Sequence, residues 1–351
     1  MNHRIEEWDP RTATDEVNRA LYDIGLERHA EEEAEDPATP YDVWLKQRTD
    51  IPSWSQPRRW VAWEDGGDNQ PKRALGYGYL GLEYTDDNRN LAWFDAYVRP
   101  EARRRGIAIA FVERIVDVAR SDDRTLLGAG AHDGGDGEAF LTALGLPKKM
   151  TERKSRLVVA NVDRGMLEDW VARAKERAED YEVVGFEDRC PDELLEPFVD
   201  LVMVMNTAPR DDIEMEDWIE TPERFREREE KSLARGVRNW RLIARHRPTG
   251  ELAGFTEFFF PSYTNELAWQ EATGVRPTHR DKGLGRWLKA ANMLRLMDER
   301  PDVKYIDTWN AFSNGPMLGI NVAMGFEIVR AYTAYQTTTD QLATAVKERL
   351  G

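Results

Sequence analysis

A chain of 351 residues, 41% hydrophobic and 32% charged, has the composition of a globular protein and the length for two domains of ordinary size. No run approaches the ~18 apolar residues that a membrane span needs, and a formal net charge of -16 argues against nonspecific nucleic-acid binding, which requires basic patches to overcome the overall field. Cys190 is the single cysteine, so no intrachain disulfide forms; the segment Met1-Asn2-His3-Arg4-Ile5-Glu6-Glu7 lacks the apolar core of a secretory signal, and the expected location is the cytoplasm.

In chain order, a short strand is expected over 4–8, then a helix over 15–28 with Val17, Ala20, Leu21 and Ile24 at helical spacing. The acidic run 31–36 reads as a solvated helix end, and Pro37 and Pro40 precede a second short helix over 41–48. Strands over 60–63 and 74–84 form a hairpin around Asp65-Gly66-Gly67-Asp68-Asn69, and a strand over 91–98 follows. A helix over 107–119, a strand over 126–129, a short helix ending at Gly145 and a strand over 157–160 complete the first half. The loop His132-Asp133-Gly134-Gly135-Asp136-Gly137 does not match the acidic spacing of a calcium loop. No metal is expected.

A charged helix over 164–180 reads as a connector. The second half starts with a strand over 182–186 and a helix from Pro191 through Leu194, Leu195, Phe198, Leu201 and Val202. The acidic loop 211–217 precedes a helix opened by Thr221-Pro222-Glu223, a capping residue with Pro in the first turn. A hairpin of 240–246 and 252–260, a strand over 267–275, a helix over 284–300, a strand over 305–308, a helix over 317–324, a strand over 328–336 and a tail helix over 341–350 follow.

The two halves share a motif. Val98-Arg99-Pro100-x-x-Arg103-x-x-Gly106-x-Ala108 returns, identically spaced, as Val275-Arg276-Pro277-x-x-Arg280-x-x-Gly283-x-Gly285. Each copy joins a strand to a helix through a basic glycine turn, where backbone N–H groups and the helix dipole favour phosphate. The hexapeptides Arg103-Arg104-Arg105-Gly106-Ile107-Ala108 and Arg280-Asp281-Lys282-Gly283-Leu284-Gly285 resemble the acyl-coenzyme A pyrophosphate loop of the GNAT acetyltransferase superfamily. Downstream, Asn314-x-x-Met317-x-x-x-Asn321-x-x-x-Gly325-Phe326 resembles that family's Asn…Tyr-x-x-x-Gly-Phe segment, with Asn321 in place of Tyr; the first half keeps only Phe140-Leu141-x-x-x-Gly145-Leu146.

The resemblance covers nearly the whole chain as a tandem pair of the mycothiol synthase type. It implies an α/β (α+β) fold of two GNAT-like domains, each a mixed, mostly antiparallel central sheet flanked by helices. The expected boundaries are a degenerate domain over 1–162, a connector over 163–180 and a catalytic domain over 181–351. The implied activity is acyl-coenzyme A dependent N-acyl transfer, with acetyl-coenzyme A as cosubstrate and a small primary amine as acceptor. The chain would work as a monomer or homodimer without a membrane or nucleic-acid partner. A noncatalytic acetyl-coenzyme A sensing module is the alternative, favoured by the missing Tyr.

The resemblance assigns pyrophosphate binding to Arg280, Asp281, Lys282, Gly283, Leu284 and Gly285, and pantetheine contacts to Asn310 and Asn314, for which N-capping is the competing role. It assigns oxyanion stabilisation to a backbone N–H near Val275, freed by a bulge at Gly274, and the base to Glu271, for which a structural ion pair is the other reading. Tyr332 and Tyr335 are the candidate acids in place of the missing Tyr, although strand aromatics more often fill a core. In the first half Phe94 stands opposite Glu271, with Asp95 one residue out of register, and Trp54, Trp60 and Trp63 line a cleft or pack the core. The acidic loop 211–217 is expected to attract the cationic acceptor.

Overall fold

The computed structural model describes residues 3–64 and 73–350; the expected hairpin turn at 65–69 lies outside them. The first half supplies β1 (His3–Glu7), α1 (Asp15–Glu32), α2 (Tyr41–Thr49), β2 (Arg58–Glu64), β3 (Ala74–Gly81), β4 (Leu91–Val98), α3 (Ile107–Ser121), β5 (Leu126–His132), α4 (Asp136–Ala143) and β6 (Lys148–Val158). The connecting helix α5 (Arg164–Arg177) leads to β7 (Tyr181–Glu187), α6 (Asp192–Val202), α7 (Pro222–Ala234), β8 (Arg238–His246), β9 (Leu252–Phe260), β10 (Leu267–Val275), α8 (Leu284–Glu299), β11 (Tyr305–Ala311), α9 (Gly315–Met324), β12 (Glu327–Thr338) and α10 (Thr339–Leu350). Caps fall where the sequence places them: the Thr221 hydroxyl accepts from Arg224 N–H at 3.3 Å, with Pro222 behind it. No helix among the described residues is long and apolar enough to cross a membrane.

These elements form two units. Unit 1 comprises Met1–Thr151, Asp212–Glu216 and Tyr332–Gly351; unit 2 comprises Glu152–Asp211 and Asp217–Ala331. In unit 1 the strands run β1-β2-β3-β4-β5, and the sheet continues with β12, whose residues 332–338 pair antiparallel with β5. The apolar face of α3, with Ile107, Phe111, Ile115 and Ala119 at helical spacing, packs on this sheet. Tyr335, Leu342, Ala343 and Val346 from the end of the chain join the same core. The opposite face is covered by α1 and α2 around Trp8, Leu21, Ile24, Trp44 and Trp63.

In unit 2 the order is β6-β11-β10-β9-β8-β7, with Glu152 to Val158 of β6 pairing antiparallel with β11. Each sheet is antiparallel except for one short parallel pair, Leu91 to Trp93 with Leu126 to Gly128 in unit 1 and Leu267 to Trp269 with Tyr305 to Asp307 in unit 2. Beyond these triplets the paired strands part, and each gap opens beside a phosphate-type turn.

The closing strands are exchanged relative to the sequence reading. The strand expected at 157–160 to close the first sheet is the end of β6, which pairs with β11 in unit 2; the strand expected at 328–336 to complete the second sheet pairs with β5 in unit 1. The expected boundaries at 162 and 181 therefore cut through unit 2, and unit 1 gains the C-terminal segment. The physical reason for the placement of β6 is charge: Asp307 on β11 is fully buried and accepts a two-pronged bond from Arg156 (2.7 and 2.6 Å) and an ion pair from Lys154 at 3.0 Å. A strand carrying two such cations has one place in this sheet where both are matched.

The exchange has a measurable consequence. Leu342 is 1% exposed in the unit 1 core, so Leu342→Ala should cost about 2–5 kcal/mol. Hydrogen exchange should accelerate in α3 and β5 while α8 and β9 keep their protection. Equal loss in both sets of elements, or loss in α8 and β9 alone, would contradict the assignment of the C-terminal segment to unit 1.

Candidate active site

Both motif copies fold alike. The Nε of Arg99 donates to Ala74 O and that of Arg276 to Leu252 O, each at 2.8 Å, so this arginine ties the end of one strand to the start of its neighbour. The next arginine closes the turn, with Arg103 Nε on Val98 O at 3.0 Å and Arg280 Nε on Val275 O at 3.2 Å. Arg104 and Asp281 adopt left-handed backbone (φ 62° and 63°), as do Gly106 and Gly283 (φ 81° and 80°). Left-handed backbone is the reason for glycine at both caps, because a Cβ on either would meet nothing within 4 Å. Neither helix has a side-chain N-cap, which leaves the first-turn N–H groups of α3 and α8 open to an anion.

The loops differ in charge balance. Arg103 is clamped by Glu31 at 2.6 Å and Asp136 at 2.7 Å. Arg280 instead donates to the Thr207 hydroxyl at 2.7 Å, with no carboxylate in ion-pair contact among the described residues. Lys282 lies 5.8 Å from the Tyr181 ring centre. Leu284 is buried as the first residue of α8, and a Cβ on Gly285 would make only ordinary contact with Val275, at 3.8 Å.

The gap beside the second loop is lined by β10. Arg276 N donates to Ala253 O at 2.8 Å; in an antiparallel ladder adjacent residues alternate, so the Val275 N–H points away from β9 and into the gap. The bulge expected at Gly274 lies earlier, between Gln270 and Thr273, and Gly274 itself sits in register opposite Phe255. Its glycine serves packing: a Cβ there would come within 2.5 Å of Val204. The Gln270 amide spans the bulge, donating to Glu257 O at 2.9 Å and Glu271 O at 3.2 Å.

Glu271 stands on that bulge. Its side chain reaches solvent, yet the protein mass around it, and secondarily the Glu257 carboxylate, push its carboxyl up to about 7. Glu257 is itself held by Arg241 at 3.1 Å, and no cation is shown against Glu271. In unit 1, β4 pairs with β3 without a bulge from Trp93 to Val98; Phe94 is buried, and Asp95 is ion-paired with Arg28.

Across the gap, Asn310 near the end of β11 belongs to a chain of bonds. Lys289 Nζ donates to Asn321 Oδ1 at 2.6 Å, and Asn321 Nδ2 donates to Asn310 Oδ1 at 2.7 Å. With Lys289 donating, the Asn321 oxygen faces the amine and its nitrogen faces Asn310, which leaves the Asn310 amide nitrogen as a further donor. Asn314 occupies the N-cap position of α9 but makes no side-chain capping bond. Lys289 is not among the residues that the sequence singles out, yet it is 1% exposed. The signal was its spacing of four from the core residue Met293.

The remaining expected residues lie in unit 1. Tyr335 is fully enclosed in that unit's core, which removes it from contact with any substrate. Tyr332 lies on β12 opposite His132, its ring over Gly130, where a Cβ would collide with it at 2.1 Å. Residues 212–216 of the acidic loop are held by Asn88, Lys149 and Gln336, and Trp60 and Trp63 pack the unit 1 core.

Burial alone lowers the Lys289 amine to about 7. Between that value and the ordinary lysine range near 10.4 the unfolded chain binds a proton that the folded chain does not, so stability rises with pH across this window. Denaturant titrations from pH 7 to about 10 should show Lys289→Met flattening the rise. An unchanged slope would mean that Lys289 stays charged in the fold.

Residues 20–133 match the acetyltransferase (GNAT) family. No curated protein matches the sequence. Among solved structures, a tandem GNAT protein from the clavulanic acid biosynthesis pathway is 24% identical with a TM-score of 0.75, covering 96% of this chain and 99% of that one. A GCN5-related N-acetyltransferase from Sphaerobacter thermophilus is 12% identical with a TM-score of 0.64, at 96% coverage of both chains. The family match falls within unit 1, the half whose downstream motif is faded, and the structural likeness spans both units. Residues 20–133 thus match the GNAT acetyltransferase family model, and the chain as a whole has the fold of a tandem GNAT protein.

Proposed function

We propose that the chain is an acyl-coenzyme A dependent N-acyltransferase that moves acetyl from acetyl-coenzyme A to a primary amine of a small molecule, and that unit 2 carries the chemistry. The observation that carries this reading is Glu271: a carboxyl pushed up to about 7, on a bulge beside the gap between β10 and β11 and without a cation to neutralise it. A base of that strength is suited to an ammonium acceptor near neutral pH.

The turn 280–285 and the first turn of α8 would hold the pyrophosphate, with Arg280 and Lys282 adding charge outside the backbone cradle. Asn310 and Asn314 would contact the pantetheine arm, and the Val275 N–H would meet the oxyanion. Glu271 accepts the ammonium proton, the neutral amine nitrogen bonds to the thioester carbon, the C–S bond breaks with its electron pair leaving on sulfur, and the surplus proton on nitrogen passes to solvent or to the departing thiolate. A thiol with an ordinary pKa of about 8.5 can leave as thiolate without a dedicated acid. The reading includes a cytoplasmic monomer or homodimer without a nucleic-acid or membrane partner.

A second reading has its own support. The family match on 20–133 and the identically spaced turn at 103–108 favour coenzyme A binding in unit 1, and a chain that only senses acetyl-coenzyme A would show binding without turnover. Calorimetry with coenzyme A on Gly283→Val and Gly106→Val separates the units. Both substitutions strain a left-handed turn, and the greater loss of affinity should follow Gly283→Val; the reverse order moves the cofactor site to unit 1.

Glu271→Gln should lower kcat by roughly 10²–10⁴-fold and remove the acidic limb of the pH–rate profile, whose midpoint in the parent is expected near 7. The folded chain holds this proton more tightly than the unfolded one, so Glu271 costs stability as pH rises from the ordinary carboxyl range through 7. The variant should therefore melt at least as high as the parent at pH 8. A lower melting temperature there would make Glu271 an ion-pair member, and unchanged turnover would place the base elsewhere.

A further inference from the structure

Unit 1 contains a cavity of about 520 Å³ that the proposed chemistry of unit 2 does not use. It lies between α1 and α2 on one side and β2, β3 and β4 on the other, with Gly130 of β5 at its margin, a volume suited to a small organic molecule. Much of its wall is aromatic, from Trp44, Tyr79, Trp93 and Phe94. Three guanidinium groups reach the same lining, and they are not equivalent.

Arg28 is fully matched, pairing with Asp95 and, at 2.7 Å, with Glu32. Arg48 lies with its guanidinium carbon 4.1 Å from the Trp44 ring centre and donates to Trp44 O at 3.1 Å. Arg59, 9% exposed, donates to Arg48 O at 3.4 Å and faces the Trp8 and Tyr79 rings at 5.9 and 5.7 Å. Among the described residues neither Arg48 nor Arg59 has a carboxylate in ion-pair contact, and Asp9, the acid on the Arg59 side, is already held by Arg11 at 2.8 Å. Burial pulls the Arg48 guanidinium down to about 10, and the neighbouring Arg59 adds to the repulsion. A buried cation such as Arg59 normally has a counter-anion, and neither it nor the half-buried Arg48 next to it is in an ion pair among the described residues, in a chain of net charge -16.

We propose that this cavity binds a small carboxylate carried on a flat apolar body, with the carboxylate between Arg48 and Arg59 and the body against the aromatic walls. Guanidinium forks match carboxylate geometry in pairs of parallel bonds; one nitrogen of each is used on a backbone carbonyl, Arg48 Nη1 on Trp44 O and Arg59 Nη2 on Arg48 O, and the remaining N–H groups are the ones offered to the carboxylate. The carboxylate has two chemical sources. It arrives as a free acid, or as the far end of an acyl chain on coenzyme A held at the 103–108 turn of the same unit.

The test is calorimetry on the full chain with 3-phenylpropanoate, indole-3-acetate, the primary amides of both acids, glutaryl-coenzyme A and acetyl-coenzyme A. Either free acid binding at least about tenfold tighter than its amide supports the free-acid source. Glutaryl-coenzyme A binding about tenfold tighter than acetyl-coenzyme A, with no preference among the free acids, supports the carrier source. In both cases Arg48→Gln should erase the preference, and Arg48→Lys, which keeps the charge but not the fork, should keep part of it. The acid-to-amide and glutaryl-to-acetyl comparisons on the parent chain need no variant to fold. No preference for the charged ligand in either pair, or a preference that survives Arg48→Gln, overturns the proposal.

Discussion

Asp307 is the point on which unit 2 depends. Its carboxylate is removed from water and surrounded by Arg156 and Lys154 of β6, so the strand that closes this sheet is selected by charge as well as by backbone pairing. Buried ion pairs are poor sources of net stability, but they are intolerant of mismatch: a slip of β6 by one residue would turn both cations to the opposite face and leave the buried Asp307 carboxylate without them. The register from Tyr305–Val158 to Ala311–Glu152 follows. With β11 held on that side, only Leu267 to Trp269 of β10 pair with it on the other. The gap that the Val275 N–H faces is thus a consequence of where β11 is tied.

The motif written twice produces the same backbone twice, down to the left-handed pair at 104/106 and 281/283, yet the two sites differ in what surrounds it. In unit 1 the turn arginine is neutralised by Glu31 and Asp136, β4 runs without a bulge, and the carboxylate in the strand is claimed by Arg28. In unit 2 the equivalent arginine meets a hydroxyl and a backbone carbonyl but no carboxylate among the described residues, β10 is bulged, and no cation among them pairs with Glu271. A phosphate approaching Arg103 competes with two carboxylates; one approaching Arg280 does not. The difference between the units lies in charge balance rather than in the loop.

Most of the elements were legible because apolar periodicity and turn chemistry are local. The helices at 15–32, 107–121 and 284–299 and the strands that feed the two turns carry their signal within a dozen residues. The misreadings share one cause, which is that they depend on a partner strand. β6, with the sequence Lys148-Lys149-Met150-Thr151-Glu152-Arg153-Lys154-Ser155-Arg156-Leu157-Val158, looks like surface until Asp307 is placed beside it, so only its apolar end was seen. A bulge is a count of two residues against one, and the shift from Gly274 to the 270–273 stretch is visible only against β9. Tyr335 was judged by its strand, and the strand's destination decided that it is core.

Lys289 shows the opposite case, a local signal that a charge obscured. Its place on the buried face of α8 was available from spacing alone, but a lysine there has meaning only with Asn321 opposite it. At the position where the superfamily usually carries Tyr, the chain has an amide whose oxygen is turned inward by a buried amine and whose nitrogen is turned to Asn310. A phenol at this place could give a proton; an amide held this way can only present a donor. The loss of the Tyr is therefore coupled to a gain of hydrogen-bond order at Asn310. Under the proposed function, that arrangement would position a thioester arm and let the thiolate depart on its own acidity, with proton removal from the amine falling to the carboxyl on the bulge of β10.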